Sequence, residues 1–554
     1  MEIFCKNIKK AYTFNEGVTF FQIFKEIGLR LTGKPICASA NGKMNGMENR
    51  VYQSCDVLFH DRTTSEGARC YTNGLITILS KAISDLYPGG QVQVSNAISK
   101  GIYCPVDIKK PLDQTSLELI RKRMDEIIAQ DLPIESHRRH TDEVAEMMEK
   151  EGRHDTSLLL RTTGKIYSVY HTLDGKPFWI FGPMPSSTGL MDLYGLELMG
   201  DGILLRVPDR TTYNELCPMV RQDKMYSIFQ EHHNWMDVLG FSKLGELNSA
   251  VQKGDSTMII NIAEALQAKK IVHISDQIAE RRSSNPNMKL IMVSGPSSSG
   301  KTTFSKRLQV QLLAHGLTPK VISLDDYFVD REHTPLDENG EYDFEALQAI
   351  DIKFFNEQLN DLLAGKTILP PCYNFKKGGV REFTYPEMSL GEHDVLLIEG
   401  IHALNPDLMP GIPSESKFLI YVSALTSIRL DGQNYIPSTD NRLLRRIIRD
   451  HKYRKYSARD TIARWPSVRN GEEKWIFPYQ ENADAMFNSA MLFELAVIKD
   501  MVTPILEEVP EDCDEYAKAK QLMDLLKLFV TVPSQNLPPT SLVREFIGGS
   551  SFHY

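Results

Sequence analysis

The chain of 554 residues carries a net charge of −9 and is 42% apolar, like an ordinary globular protein. Its length predicts several domains, and its acidic balance gives no overall attraction to nucleic acid or to an anionic membrane. No apolar run is long enough to span a bilayer and no signal-peptide pattern is present, so we expect no membrane association. The eight cysteines are scattered without a C-x-x-C pair, which predicts reduced thiols in a cytoplasmic protein.

The N-terminal part of the sequence is predicted to form two α+β domains. Residues 1–60 alternate short apolar runs with turn signals around one helical stretch, which is typical of a small α+β domain. Residues 61–210 show helix patterns at 74–86 and 117–129, followed by glycine-rich strands from 157 to 207. No internal repeat interrupts this arrangement.

A phosphate-binding loop opens the last part of the chain. Residues 211–285 predict a helical connector, and the domain that follows, 286–554, begins with an apolar strand at 289–294. This strand leads into G-x-x-x-x-G-K-T and then into a helical pattern, so that backbone N–H groups and a helix N-terminus converge on one point. A flexible Ser/Gly loop is the less favoured interpretation. We predict that ATP is bound by Gly295, Pro296, Ser297, Ser298, Ser299, Gly300, Lys301, Thr302 and Thr303.

Two further apolar strands of this domain end in carboxylates. Lys320–Leu324 is followed by Asp325 and Asp326, and Asp394–Ile398 is followed by Glu399. In a parallel α/β sheet the carboxyl ends of the strands face the bound ligand. We therefore expect these carboxylates near the phosphates, with Glu399 and the Thr302 hydroxyl at a magnesium ion. A single acidic residue at a strand end is more often a helix cap or solvated.

A cluster of arginines follows. The segment 441–450 predicts a helix that carries four arginines on one side, with two more arginines after it. Such a cluster beside a phosphate site can neutralise a transferring phosphoryl group and close as a lid. A solvated basic face or an RNA-binding face is the alternative. The six residues are Arg442, Arg445, Arg446, Arg449, Arg454 and Arg459.

Residues 289 to about 500 resemble the uridine kinase and phosphoribulokinase family. The resemblance is carried by five motifs in the family's order, with the arginine-rich segment behind them. The motifs are residues 295–302, 321–328 (VISLDDYF), 342–345 (YDFE), 371–375 (PCYNF) and 395–401 (VLLIEGI).

This resemblance implies an α/β kinase fold with a parallel sheet and a set of site residues. Asp325 would be the catalytic base that accepts a proton from a 5′-hydroxyl, with Lys301 and Arg449 as further catalytic residues. The magnesium ligands would be Thr302 and Glu399. The implied substrate-binding residues are Asp343 for the ribose hydroxyls, Tyr373 and Phe375 for the base, and Arg446 and Arg454 for phosphate.

The sequence departs from the family at one functional position. The pyrimidine-specific enzymes carry a histidine after the Tyr-x-Phe motif that hydrogen-bonds the base. Here the run 376–381 is KKGGVR, with glycines in that place. A site without this partner would not discriminate between bases in the same way.

The N-terminal part resembles two synthetase domains. Residues 1–60 are similar to a TGS domain, and 61–210 are similar to the second additional (editing) domain of threonyl-tRNA synthetases, on residues 81–88, 121–127 and 182–189. The zinc ligands of that domain would align with Asn73, Thr77, Ile180 and Met184, and none of these is a good zinc ligand. The resemblance therefore implies a metal-free accessory module without hydrolytic editing, which binds RNA or a small ligand or only acts as a scaffold.

Taken together, these observations predict an ATP- and Mg²⁺-dependent nucleoside 5′-kinase with an accessory module. A kinase of a phosphorylated sugar and a nucleotide-switched RNA-binding regulator remain the alternatives. The sequence does not indicate the preferred base or the oligomeric state.

Overall fold

The computed structural model describes residues 1–337, 340–374, 379–426 and 428–553. The first sixty residues form a mixed five-stranded sheet in the order β2-β1-β7-β4-β5, in which β1 and β7 are parallel. Helix α1 begins after Thr19, whose hydroxyl accepts the N–H of Gln22 while the Gln22 side chain accepts the N–H of Thr19. The elements are β1 (Glu2–Cys5), β2 (Lys10–Thr13), β3 (Val18–Thr19), α1 (Phe20–Glu26), β4 (Cys37–Ala40), β5 (Lys43–Gly46), β6 (Arg50–Val51) and β7 (Cys55–His60).

The next stretch combines two antiparallel sheets with long helices. One sheet has the order β14-β15-β10-β8, with β9 also paired to β10, and the other has the order β11-β12-β13. The helices of this stretch are α2 (Ser65–Leu86), α3 (Gln114–Ala129), α4 (Thr141–Lys150) and α5 (His154–Thr162). Its strands are β8 (Gln91–Val92), β9 (Ala97–Ile98), β10 (Gly101–Asp107), β11 (Ile134–His140), β12 (Tyr167–Leu173), β13 (Lys176–Phe178), β14 (Gly195–Met199) and β15 (Gly202–Arg206).

The prediction that strands begin at residue 157 is wrong. Ser157 lies inside α5, and the first strand after it begins at Tyr167. The segment folds as a helix because Leu159 and Leu160 are buried in a core that also contains Val144 of α4. The helical pattern expected at 74–86 is the second half of α2, which begins nine residues earlier after Thr64, whose hydroxyl accepts the N–H of Gly67.

Three helices connect this region to the last sheet. They are α6 (Asp223–Leu239), α7 (Leu244–Gln252) and α8 (Ser256–Ser284), and the predicted stripe of Ile271, Ile274 and Ile278 on α8 is buried. This stripe packs against the strand that precedes the phosphate-binding loop. The domain boundaries at 60, 210 and 285 stay predictions.

The C-terminal part is an α/β domain around a wholly parallel five-stranded sheet, as the sequence predicts. The strand order is β17-β20-β16-β21-β22, and every residue of the central strand β16 is buried. The strands are β16 (Leu290–Ser294), β17 (Thr318–Ser323), β18 (Cys372–Asn374), β19 (Val380–Glu382), β20 (Asp394–Glu399), β21 (Lys417–Ser423) and β22 (Ala485–Asn488). The helices are α9 (Lys301–Ala314), α10 (Ile352–Leu363), α11 (Ser438–Arg449), α12 (Ala458–Trp475), α13 (Glu494–Glu507), α14 (Tyr516–Leu526) and α15 (Arg544–Ile547).

Residues 428–436, here called the insertion segment, join the two halves of the protein. The segment lies between β21 and α11, and several of its hydrogen-bond partners lie far away in the sequence. Asn434 accepts the N–H of Phe181 at 2.7 Å, and Gly432 donates its N–H to Asp155 at 2.7 Å. The α/β domain is therefore anchored directly in the preceding region. Among the helices in the described part of the chain, none is long and apolar enough to cross a membrane.

Candidate active site

The phosphate-binding loop lies between β16 and α9, at the carboxyl edge of the parallel sheet. Both end glycines are required. A Cβ on Gly295 would lie 1.9 Å from a carbonyl oxygen of β21, and a Cβ on Gly300 would lie 2.5 Å from the side chain of Leu542. The Lys301 ammonium donates to the carbonyls of Gly295 and Pro296 at 3.0 and 3.3 Å. The lysine is therefore folded over the loop, where it can reach a bound phosphate.

Thr302 and Glu399 meet beside the loop, as the sequence predicts. The Thr302 hydroxyl donates to Glu399 Oε1 at 2.8 Å. Burial raises the pKa of Glu399 to about 7, against the lowering effect of the nearby Lys301 charge. A hydroxyl and a carboxylate are oxygen ligands of the kind that Mg²⁺ prefers. Thr302 and Glu399 would therefore suit a magnesium ion, which would neutralise charge on a bound phosphate.

The two neighbouring aspartates after β17 have different surroundings. The Asp326 carboxylate accepts the N–H of Tyr373 at 3.0 Å, and burial raises its pKa. Asp325 is exposed, and its charge acts on Glu399 and on Arg454. Asp326 therefore positions β18, while Asp325 faces the cleft beside the phosphate-binding loop.

Glu345 is a site residue that the sequence analysis missed. Asp343 accepts the N–H of Glu345 at 3.0 Å, so its carboxylate stabilises a turn. The Glu345 carboxylate lies in the field of Arg446 and Lys301, and burial raises its pKa to about 7. A Cβ on Gly471 would lie 2.3 Å from that of Glu345, so this glycine of α12 makes room for the glutamate. The signal was present, because Glu345 belongs to the 342–345 motif from which Asp343 was selected.

The two aromatic residues predicted to contact a base are only partly described. Phe375 lies outside the described residues. The Tyr373 ring is buried against Phe328, with 5.6 Å between the ring centroids, and its hydroxyl donates to the carbonyl of Val329 at 3.2 Å. Tyr373 therefore forms a fixed wall next to Asp326. Base stacking on these residues stays a prediction.

Helix α11 is a packed element, which corrects the expectation of a lid that carries six arginines. Arg442 pairs with Glu472 at 2.6 Å and Arg445 with Glu494 at 2.7 Å, and all four side chains are buried. The two arginines also donate to carbonyls of the phosphate-binding loop at 3.2 and 3.3 Å, so they brace it. Arg459 pairs with a glutamate before α14. The buried aliphatic residues of α11 are Leu443, Leu444, Ile447 and Ile448.

The other three arginines form the cationic side of the site. Arg446, Arg449 and Arg454 share the buried carboxylate of Asp450 at 3.2, 3.1 and 3.5 Å. Arg446 also donates to the Ser297 hydroxyl at 2.8 Å. The charge of Arg449 and burial lower the pKa of Arg454 to about 10, so it remains charged at neutral pH. Three guanidinium groups around one carboxylate leave a cationic surface beside the loop, which suits phosphate.

Comparison with known proteins agrees with this geometry. Residues 290–495 match the model of the Phosphoribulokinase / Uridine kinase family. This part of the chain is therefore similar to the kinases of that family.

A uridine kinase from Staphylococcus aureus is 29% identical over 197 residues, which cover 35% of this chain and 84% of that protein. In the N-terminal region, a threonine–tRNA ligase from Carboxydothermus hydrogenoformans is 27% identical over 139 residues, or 25% of this chain. The chain spans about a fifth, 22%, of the length of that ligase. A solved D-glycerate 3-kinase from Cryptococcus neoformans matches 52% of this chain and 90% of its own at 13% identity and a TM-score of 0.23.

The C-terminal segment adds a second unpredicted contact to the kinase domain. The Glu545 carboxylate in α15 accepts from the Thr303 N–H at 3.1 Å and from the Thr303 hydroxyl at 2.7 Å. Thr303 lies in the first turn of α9, whose N–H groups are the anion-binding part of the loop. A carboxylate therefore occupies one of the donors that a nucleotide phosphate would use. The two residues are 242 positions apart, so no local pattern reveals the contact.

The four aligned zinc positions of the N-terminal half lie close to one another without forming a metal site. Asn73 donates to the carbonyl of Pro183 at 3.0 Å, while Ile180 and Met184 are buried in one apolar cluster. The thiol of Cys70 is buried, and burial raises its pKa well above the usual value. Among the described residues, no group of three or more His, Cys, Asp and Glu side chains could hold a metal ion. The absence of zinc stays a prediction that metal analysis of the purified protein would test.

Proposed function

We propose that the protein is an ATP- and Mg²⁺-dependent kinase that transfers the γ-phosphoryl group to the 5′-hydroxyl of a ribonucleoside. The observation that carries the proposal is the surroundings of Asp325. This carboxylate is exposed in the cleft shared by Glu399 and Arg454, while its neighbour Asp326 is engaged with the backbone of β18. A base that faces a phosphate site and has no structural task suits proton removal from an acceptor hydroxyl.

The phosphate-binding loop and its neighbours would hold the nucleotide. Loop N–H groups and Lys301 would bind the phosphates, and Thr302 with Glu399 would hold Mg²⁺. When bound, the ion neutralises charge on the phosphates and orients them. Arg446 and Arg449 would lie beside the transferred group, where fixed cations stabilise the charge of the transition state.

The acceptor would lie between Asp325 and Glu345. Within the 342–345 motif, the Glu345 carboxylate is the one that lies near the charges of Arg446 and Lys301. We therefore assign Glu345 to the acceptor hydroxyls, with Asp343 stabilising its turn. With the Glu345 pKa raised to about 7, the residue can both donate and accept a hydrogen bond near neutral pH. The glycine-containing run after Tyr373 offers no histidine to the base, so we expect a base preference broader than pyrimidines.

A phosphorylated sugar is the second candidate acceptor. The observation in its favour is the cluster of Arg446, Arg449 and Arg454 around the single carboxylate of Asp450, since such a surface could also hold an acceptor phosphate.

An acceptor panel tests both candidates. The full chain is incubated with Mg²⁺ and ATP labelled in the γ-phosphate, together with uridine, cytidine, adenosine, guanosine or ribulose 5-phosphate. We expect labelled products with more than one nucleoside and higher kcat/KM than with the sugar phosphate. The Lys301→Ala variant serves as the control for contaminating kinases. Equal or greater activity on ribulose 5-phosphate would contradict the nucleoside assignment, and no transfer to any acceptor would contradict the proposal as a whole.

A further inference from the structure

A cavity that is separate from the phosphate-binding loop lies between the two halves of the protein. Its volume is about 290 Å³, near the lower end of small-molecule sites. Its walls come from α2, β13, the start of α5 and residues Gly432 and Gln433 of the insertion segment. The size suits a small metabolite better than a nucleotide.

One cation in the wall forms no direct ion pair with the described residues. The guanidinium of Arg153 is mostly buried, and its burial lowers the pKa of the group. Its hydrogen-bond acceptor is the side-chain oxygen of Gln433. The charges of Asp431, Asp155 and Glu151 act on it, but among the described residues no carboxylate lies within ion-pair distance. The other buried cations of the wall are neutralised: Lys81 pairs with Asp85 at 3.2 Å, and Lys243 pairs with Asp155 at 3.0 Å.

The lining as a whole carries one more cation than anion, with Lys81, Arg153, Lys176 and Lys243 against Asp85, Glu151 and Asp155. Lys176 is exposed at the rim, and no carboxylate in the described part of the chain is within ion-pair distance of its ammonium. Glu151, also exposed, is the acidic residue of the wall that forms no direct ion pair with these cations among the described residues, although its charge acts on Arg153. Hydroxyl groups of α2, among them that of Ser80, face apolar groups such as Phe178. A ligand for this lining needs an anionic group and a partly apolar body.

Gln433 connects the cavity to the kinase domain. Its side-chain oxygen accepts from Arg153, and its amide donates to the Ser80 hydroxyl at 2.7 Å. The same segment is fixed by Asp431, which accepts from the Thr156 hydroxyl at 2.8 Å. A ligand in the cavity would therefore contact both halves of the protein at once.

We propose that this cavity binds a small organic anion whose carboxylate or phosphate group is held by the Arg153 guanidinium. A guanidinium binds both groups through paired N–H donors, and a site that excludes water strengthens such a contact. The site is independent of the proposed phosphoryl transfer, since none of the residues assigned to that reaction lines it.

Thermal unfolding of the full chain tests this site. The measurements are made in the Lys301→Ala background, so that phosphate binding at the phosphate-binding loop does not mask the effect. The probes are acetate, inorganic phosphate and glycerol 3-phosphate, with potassium chloride at equal ionic strength as the reference. We expect at least one probe to raise the Tm in a saturable manner, because a ligand that binds only the folded state stabilises it. Acetate and the two phosphates distinguish which anionic group the cavity takes.

Substitutions locate the binding. Arg153→Gln should weaken the effective probe at least about ten-fold, the value of a lost charge-assisted hydrogen bond. Arg161→Gln, an equal loss of charge on the exposed face of α5, the helix that follows Arg153, should leave the affinity unchanged. If Arg153→Gln does not fold, Lys176→Gln removes an exposed rim cation instead and should weaken binding. Absence of saturable stabilisation by every probe, or unchanged affinity in Arg153→Gln, would overturn the proposal, as would unchanged affinity in Lys176→Gln where that variant has to replace Arg153→Gln.

Discussion

The pair Asp325 and Asp326 allows the sharpest test of the assignment of the catalytic base. Among the described residues, Asp325 makes no hydrogen bond or ion pair, so Asp325→Asn should cost the fold little. Its amide can hold an acceptor hydroxyl but cannot take its proton. Loss of a positioned general base lowers turnover about 10²–10⁴-fold, equivalent to about 3–5 kcal/mol of barrier. We therefore expect a large fall in kcat, a small change in KM and an unchanged Tm.

Asp326→Ala is the matched control. This change removes the carboxylate that accepts the Tyr373 N–H, and a hydrogen bond to a charged group contributes about 1.5–3 kcal/mol of stability. We expect a lower Tm with kcat within about ten-fold of wild type. Steady-state kinetics with ATP and the best nucleoside of the panel, together with thermal unfolding, measure both effects. Wild-type turnover in Asp325→Asn with collapse in Asp326→Ala would show that the wrong carboxylate was assigned.

Three further results are expected. Lys301→Ala should lower ATP-dependent phosphorylation at least about 100-fold, since the phosphates lose their main cation; a loss of only a few-fold would refute the role of the loop. Glu545→Gln should tighten ATP binding measured by calorimetry, because a negative charge leaves the Thr303 N–H; weaker binding would show that Glu545 assists the nucleotide. Because the pKa of Glu399 is raised to about 7, the stability of the ligand-free protein should fall as the pH rises from about 4.5 to 7. The affinity for Mg²⁺ should rise over pH 6 to 8 as the carboxylate ionises. Glu399→Gln should flatten both pH profiles, and unchanged profiles would contradict the assignment.

Local pattern was sufficient to predict the core of the kinase domain. The strand before the loop, the glycines and the first turn of α9 are contiguous, so their geometry follows from the sequence itself. Glu399 could be placed because parallel strands bring their carboxyl ends to one edge, and it lies 2.8 Å from Thr302 as this rule requires.

The roles of residues whose partners lie far away in the sequence could not be predicted. Helical spacing placed Arg442 and Arg445 with the other arginines, but their buried partners follow 30 and 49 residues later. These partners turn two of the expected phosphate ligands into braces of the loop, because a buried guanidinium requires a carboxylate. Local pattern also does not show that Asp343 accepts the N–H of Glu345 while Glu345 lies near the charges of Arg446 and Lys301. The substrate-binding role of Asp343 stays a prediction.

The contact between the two halves could not be predicted from local sequence pattern either. The insertion segment contains no motif, yet its polar groups bond to residues about 250 to 350 positions away. Such a contact depends on how two separately folded regions meet, and neither region's periodicity contains that information.

The most direct test of the central claim is identification of the phosphorylated atom. A nucleoside that the enzyme accepts is incubated with Mg²⁺ and ATP labelled in the γ-phosphate, and the product is analysed by ³¹P NMR and mass spectrometry. The proposed reaction predicts one labelled phosphate on the 5′-oxygen, with the 5′-deoxy analogue inert and Asp325→Asn severely impaired. Label on another hydroxyl, transfer to the 5′-deoxy analogue, or release only as inorganic phosphate would contradict it.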